Sequence, residues 1–238
     1  MENNPYAPSA SSLGASAAPV VEETATGFRD IGGISSKLSI LLLIGGVWRA
    51  LGVVSSVMQY NLLAHPPYTM AQATANDMRE RLMTFGAGIL FLITAIVFGR
   101  WIYRAHQNLP ELGARHLSFT PGWAVGCLFV PIVNLWGPYQ AMRDLVKASR
   151  NPRQWELEDT SAVIVIWWIL WLLVEVISNA VYQMSTRAHS LESLQEVTTL
   201  KIVYGTLAVP QYFLARYIVR RVWRDQSETF AQMGSVSA

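Results

Sequence analysis

Residues 101–149 read WIYRAHQNLPELGARHLSFTPGWAVGCLFVPIVNLWGPYQAMRDLVKAS. In the middle of this stretch, residues 122–133 carry no charged or strongly polar side chain, and prolines and basic residues flank them. As a helix, this apolar run would extend only ~18 Å, which is short of the ~30 Å of hydrocarbon in a bilayer. We therefore expect a short re-entrant or interfacial segment at 121–137, which enters a membrane without crossing it.

The composition of the whole chain indicates a membrane protein. Hydrophobic residues make up 52% of the sequence and charged residues 14%, against the ~25% charged residues of an ordinary soluble domain. Four segments have the length and apolar character of membrane-spanning helices. They lie at about 38–62, 82–103, 162–182 and 199–219. The sequence thus predicts an all-α membrane protein with a four-helix transmembrane domain over 36–225.

The distribution of arginine and lysine predicts the orientation of these spans. If 121–137 returns to its own side, most basic residues between the spans face one side, which the positive-inside rule assigns to the cytoplasm. Both termini are then cytoplasmic. A full crossing stays open as an alternative, because no Lys, Arg, Asp or Glu lies between Arg115 and Arg143. It would reverse the charge asymmetry.

The segment after the apolar run, 138–150, has the pattern of an amphipathic cytoplasmic helix that lies in the membrane interface. Its basic residues follow the helical spacing i, i+4 and i+7, so they are expected to contact anionic lipid headgroups. A solvated basic face beside the membrane is the alternative. The apolar face comprises Ala141, Met142, Leu145 and Val146, and the basic face comprises Arg143, Lys147 and Arg150.

Both ends of the chain are predicted to be tails. Residues 1–35 are rich in Pro, Ala, Ser and Thr, so we expect a disordered N-terminal tail with no cleaved signal. Residues 226–238 are expected to form a C-terminal tail. The net charge of +2 gives no reason to expect a nucleic-acid partner, and the single cysteine, Cys127, excludes an internal disulfide.

Several motifs of the opening stretch resemble a bacterial integral membrane family, the domain of unknown function four-three-two-eight. The motifs are WIYRA with NL at 108–109, PGW at 121–123, and PIVNLWGPY at 131–139. The resemblance implies bacterial origin, a plasma-membrane (inner-membrane) location and a signature on the cytoplasmic side, but no activity. The candidate signature site consists of Trp101, Arg104, Asn108, Pro131, Asn134 and Pro138.

Two charged residues lie inside predicted spans, where charge is costly and commonly faces protein or water. Arg49 in the first span and Glu175 in the third are ~17 and ~20 Å from the cytoplasmic ends. We expect Arg49 and Glu175 to form a pair, with Asn179 one turn further along. The pair either fixes the register of the helices or belongs to a proton or ion relay with Tyr204 and Gln211.

The sequence contains no recognisable catalytic constellation or metal-ligand spacing, so we expect neither an enzyme nor a cofactor or metal site. The favoured function is a non-enzymatic scaffold or accessory subunit with a protein partner or a second copy of the chain. The alternative is a small ion- or proton-coupled channel or transporter. A third possibility is an enzyme that holds a lipid head group with Arg104, Asn108, Asn134 and Arg143.

Overall fold

The computed structural model describes residues 27–236, and this part of the chain is helical, with no β-strand among the described residues. The predicted all-α fold is therefore confirmed. Short 3-10 turns lie at Val133–Leu135 and Pro152–Leu157. The six α-helices are α1 Gly32–Ala64, α2 Met70–Glu111, α3 Pro121–Gly126, α4 Gly137–Arg150, α5 Ala162–Ser185 and α6 Leu191–Val236.

Three of these helices, α1, α2 and α5, are long and apolar enough to cross a membrane, so the chain is a membrane protein. The predicted fourth span, 199–219, lies inside α6 and is not one of the three. α2 begins well before the predicted 82–103 because Thr69 and Gln72 cap its start reciprocally, each side chain bonding to the other's backbone nitrogen. At 42 residues, α2 is ~63 Å long and extends beyond any single bilayer crossing.

The buried core lies at one end of the helix bundle, which we call the core end. The start of α1, the end of α2, the start of α5 and the second half of α6 meet there, so neighbouring helices run antiparallel. The contacts are between large apolar side chains, whose close packing stabilises the association of helices in a membrane. The central residues are Leu38, Trp101, Ile102, Ile164, Ile218 and Val222.

The four long helices are arranged as an arc in the order α2, α1, α6, α5. α1 packs against both α2 and α6, and α6 also packs against α5. α2 and α5 form no extended interface, so the arc has an open side between them. At the core end α4 closes this side, because it contacts α2, α5 and α6.

The chain between α2 and α5 begins and ends at the core end. Gly113 follows α2 with a φ of +93°, a left-handed conformation that glycine adopts without steric cost. Thr120 then caps α3 by accepting a hydrogen bond from the backbone nitrogen of Trp123, and α3 packs on α2. Trp155 Nε1 donates to the carbonyl oxygen of Arg115 at 2.9 Å, which joins the two ends of the segment.

The predicted N-terminal tail, 1–35, includes part of the helical bundle. Residues 1–26 lie outside the described residues. α1 begins at Gly32, however, and Ile31 just before it is fully buried. The residues from 27 onward are therefore part of the packed structure, because an apolar side chain and its backbone are held against the core.

The predicted C-terminal tail, 226–238, is also structured over most of its length. α6 continues to Val236, and Gln226 inside it is fully buried. One turn further on, the ring of Phe230 stacks on Phe28 with centroids 4.2 Å apart. The helix continues because Gln226 and Phe230 still contact the rest of the protein. The polar composition of the segment does not predict these contacts.

Candidate functional site

Asn108, from the candidate signature, lies at the centre of a buried hydrogen-bond network at the core end. Its Nδ2 donates to the carbonyl oxygen of Arg29 at 2.8 Å and to Oε1 of Gln226 at 3.0 Å, while its Oδ1 accepts from the backbone nitrogen of Arg29. Gln226 Nε2 donates to the carbonyl oxygen of Ala105 and to Ser149 Oγ. The network joins the chain before α1 to α2, α4 and α6, so Asn108 has a structural role.

The aromatic residue and the prolines of the candidate signature also serve the fold. Trp101 is fully buried, and its Nε1 donates to Ser35 Oγ at 3.0 Å, which ties α2 to α1. Pro138 is buried in the first turn of α4, a position that needs no backbone donor. Pro131 is exposed in the turn between α3 and α4. These residues therefore do not line a common cavity.

The four donors considered for a lipid head group are in different environments. Arg104 is exposed on α2, and Asn108 is fully used by the network just described. Asn134 is half-buried, with its side-chain oxygen inside the protein, and Arg143 pairs with Asp144 at 2.7 Å. This arrangement gives no support to a phosphate site made of these four residues.

The basic residues of α4 have partners within the protein. Besides Arg143, Arg150 lies 3.7 Å from Glu158, and Lys147 lies 5.9 Å from the ring centroid of Trp155. The opposite, apolar face of α4 is buried against the core. A helix that inserts this face into lipid is therefore ruled out, and α4 instead caps the bundle.

The predicted pair between Arg49 and Glu175 is not formed. The guanidinium of Arg49 lies over the ring of Tyr204 in α6, 4.7 Å from its centroid. Glu175 and Asn179 are exposed on α5, and neither has an ion-pair or hydrogen-bond partner among the described residues. The prediction was wrong because counting residues gives only depth, whereas contact also requires side chains to point towards each other around the helix axes.

Arg49 instead lines a cavity of about 420 Å³, mainly apolar in its lining, in the half of the bundle away from the core end. All four long helices contribute to its wall, which combines charged and hydroxyl groups with apolar side chains such as Trp48 and Met83. This size is within the usual range of small-molecule sites. The principal polar residues of the wall are Arg49, Ser56, Glu80, Ser178, Lys201 and Tyr204.

The charges at the end of this cavity that lies away from the core end are largely compensated. Glu80 accepts a hydrogen bond from Ser55 Oγ at 2.6 Å and lies 3.6 Å from Lys201 Nζ. Arg79 in turn donates to Ser55 Oγ at 2.9 Å and to Asn76 Oδ1 at 2.6 Å. Arg49 lies closer to the core end and has no carboxylate partner among the described residues. The cavity therefore has a surplus positive charge.

Comparison with known proteins identifies the family. The family described as "Domain of unknown function (DUF4328)" matches residues 66–224, which is more than half of the chain. The chain belongs to this family. The matched region contains the candidate signature from Trp101 to Pro138, so the resemblance inferred from those motifs is confirmed. No curated protein and no solved structure matches the chain.

The DUF4328 region covers α2 to α5 and most of α6, but it begins after α1. Asn108 of the buried network lies inside it, while Gln226 lies two residues beyond its end. In the cavity, Lys201 and Tyr204 belong to the matched region and Arg49 does not. The cavity is therefore formed between the DUF4328 region and the helix that precedes it.

Two residues that organise these sites, Gln226 and Glu80, are not predicted from the sequence. Gln226 was assigned to a tail, although a glutamine within a stretch of otherwise apolar helical spacing is a signal of a buried partner. Glu80 was assigned to a loop outside the predicted span because α2 was expected to start later. Glu80 is acidic and Lys201 is basic, and both lie at the ends of two predicted spans on the same side of the membrane. This pattern is the signal in the sequence that could have predicted their contact.

Proposed function

We propose that this DUF4328 protein is a non-enzymatic membrane protein that acts as a scaffold or accessory subunit. The main support for this proposal is the closed core end. There, Leu38, Trp101 and Ile218 fill the space between the helices. The cavity around Arg49 stops at this core, and Trp101 and Asn108 of the signature hold helices together. A rigid bundle of this kind presents a constant surface to a partner.

The proposed topology has four spans, with α6 providing the fourth over 199–219. Val203, Phe213 and Tyr217 are exposed on this part of α6, as expected of side chains in contact with lipid. An even number of spans places both termini on one side. The distribution of Arg and Lys favours the cytoplasmic side of a bacterial inner membrane.

Within this topology, residues 121–137 enter the lipid from the cytoplasmic side and return. Support comes from the position of Val125, which faces Gly99 within α2. The apolar side chains of the segment that do not contact the core are exposed, and a patch of this kind is costly in water. These side chains are Trp123, Phe129, Ile132, Leu135 and Trp136.

The proposed interaction surface is the cytoplasmic side of the core end, around α4 and the turn that follows it. Arg150 is the basic residue of α4 best suited to anionic lipid, because it is exposed although it lies 3.7 Å from Glu158, whereas Arg143 and Lys147 are half-buried. The partner is either another protein or a second copy of the chain.

Photo-crosslinking in living cells tests this proposal. A photoreactive amino acid replaces the exposed Gln154 next to α4, and the matched control carries it at the exposed Met78 on the opposite end of the bundle. We expect one discrete protein adduct from position 154 that is absent from position 78. Equal, diffuse labelling at both positions, or no protein adduct at 154, would contradict the proposal.

Transport is the second candidate function, and the cavity with the charged side chains of Arg49, Glu80 and Lys201 in its wall favours it. Flux measured in liposomes that contain the purified protein separates the two functions. The scaffold proposal predicts a leak of protons and potassium no greater than that of empty liposomes. A flux that is lost in Glu175→Gln or Arg49→Gln, with folding intact, would favour transport instead.

A further inference from the structure

We propose that the cavity between the four long helices is a binding site for an oxyanion, a phosphate or carboxylate group held by the guanidinium of Arg49. This site goes beyond the scaffold function and does not depend on it. The proposal rests on the charge of the cavity, the donors that face it and the opening of the helix arc.

The charge balance favours an anionic ligand. Lys201 and Glu80 compensate each other, and Arg79 is occupied by Ser55 and Asn76. Arg49 lies about one turn or more deeper along α1 than Ser55 and has no carboxylate within 4 Å among the described residues. A charge at this depth needs a counter-charge or water, so a bound anion would stabilise it.

The contact with Tyr204 leaves the donors of Arg49 available. The guanidinium carbon lies over the Tyr204 ring, and a cation–π contact of this kind uses no hydrogen-bond acceptor, so the five N–H donors of Arg49 are not consumed by it. No hydrogen bond within the described residues occupies them. A planar fork of this kind matches the two oxygens of a carboxylate or phosphate.

Two glycines make room around the guanidinium. Gly205 of α6 lies close to α1, since a Cβ at that position would be 2.6 Å from Val53 Cγ2 and 3.9 Å from Arg49 Cδ. A Cβ at Gly52, on the cavity wall, would meet no atom within 4 Å. The space beside Gly52 is therefore open, and it lies one turn from Arg49 on the same helix.

Hydroxyl groups on the wall of the same cavity supply further donors to an oxyanion. Ser56 on α1 and both Ser178 and Tyr182 on α5 belong to the cavity wall. They lie across the cavity from one another because α1 and α5 are separated in the arc by α6. A ligand with several oxygens would thus be contacted from more than one helix.

The open side of the arc offers two sources of the same oxyanion. Between α2 and α5 the cavity borders the zone of exposed apolar side chains, such as Phe85 and Leu173, which suits an anionic lipid with its chains outside. The end away from the core end, near Glu80 and Lys201, suits a soluble anion that enters from water. The chemistry at Arg49 is shared by both.

Calorimetric titration of the purified full-length chain in mild detergent tests the site. The probes are dioctanoyl phosphatidylglycerol and, separately, inorganic phosphate. We expect at least one probe to bind saturably, and Arg49→Gln to weaken this binding at least tenfold. Gly52→Leu, which places a side chain in the space where a Cβ meets no atom within 4 Å, is expected to weaken it to a similar extent.

The matched control is Gly88→Leu, because Gly88 is an exposed glycine of α2 with no atom within 4 Å of a Cβ. It is expected to leave the affinity unchanged. Binding of phosphatidylglycerol alone assigns the site to a lipid, and binding of phosphate assigns it to a soluble anion. No binding of either probe, or binding unaffected by Gly52→Leu, overturns the proposal even if Arg49→Gln fails to fold.

Discussion

At the scale of single residues, Asn108 and Arg49 show how partners determine the role of a polar side chain inside the bundle. Asn108 makes its hydrogen bonds to Arg29 and Gln226, so it fixes one arrangement of the helices. Arg49 contacts an aromatic face and keeps its donors free. The sequence marks both residues as unusual, but the partner of Asn108 is 118 residues away and cannot be read from local pattern.

Replacement of Asn108 by alanine should lower the free energy of unfolding by roughly 2–4 kcal/mol, because the backbone of Arg29 and the side chain of Gln226 lose buried partners. Chemical denaturation in detergent measures this loss. Asn179→Ala is the matched control, since Asn179 is exposed, and its effect should stay within ~0.5 kcal/mol. Equal losses for the two variants would show that the network is not stabilising.

At the scale of helices, hydrophobic pattern predicts faces better than ends. The apolar face of α4, with Met142 and Leu145, is buried as its spacing indicates. The ends of α2 and α6 extend past the predicted spans because capping at Thr69 and contacts at Gln226 continue the helices, and hydropathy does not register either effect. The number of residues gives the depth of Glu175 along α5. It does not give the direction in which the side chain points around the helix axis.

The interface between α1 and α6 depends on close approach at Gly45. A Cβ at this position would lie 2.6 Å from Tyr212 Cε1, so Gly45→Leu should separate the helices and destabilise the fold by about 1–3 kcal/mol. The melting temperature in detergent reports this change. In the control Gly88→Leu, the new side chain meets open space and the melting temperature should not fall. A loss of similar size in both variants would contradict this account of the interface.

At the scale of the whole molecule, the two ends of the bundle differ in construction. The core end is filled by apolar side chains and closed by α4, whereas the other half contains the open cavity lined by Arg49. The sequence predicts the helical class and the membrane location from composition. It does not predict the cavity, because the cavity results from how four distant helices are arranged around the open side of the arc.

The central claim is that the segment from Trp101 to Ser149 closes one end of the bundle and returns to the side on which it began. Cysteine accessibility tests it in a Cys127→Ala background, which removes the single native thiol. A membrane-impermeant maleimide is applied to intact cells that carry one cysteine at a time, at the exposed positions Ser118, Thr160 or His189. Permeabilised cells provide the control for reactivity.

We predict that the cysteine at position 189 is labelled in intact cells and that those at positions 118 and 160 are labelled only after permeabilisation. This result would place both ends of the segment on the cytoplasmic side, opposite the connection between α5 and α6. Labelling of position 160 but not position 118 in intact cells would show that the segment crosses the membrane, and it would contradict the account.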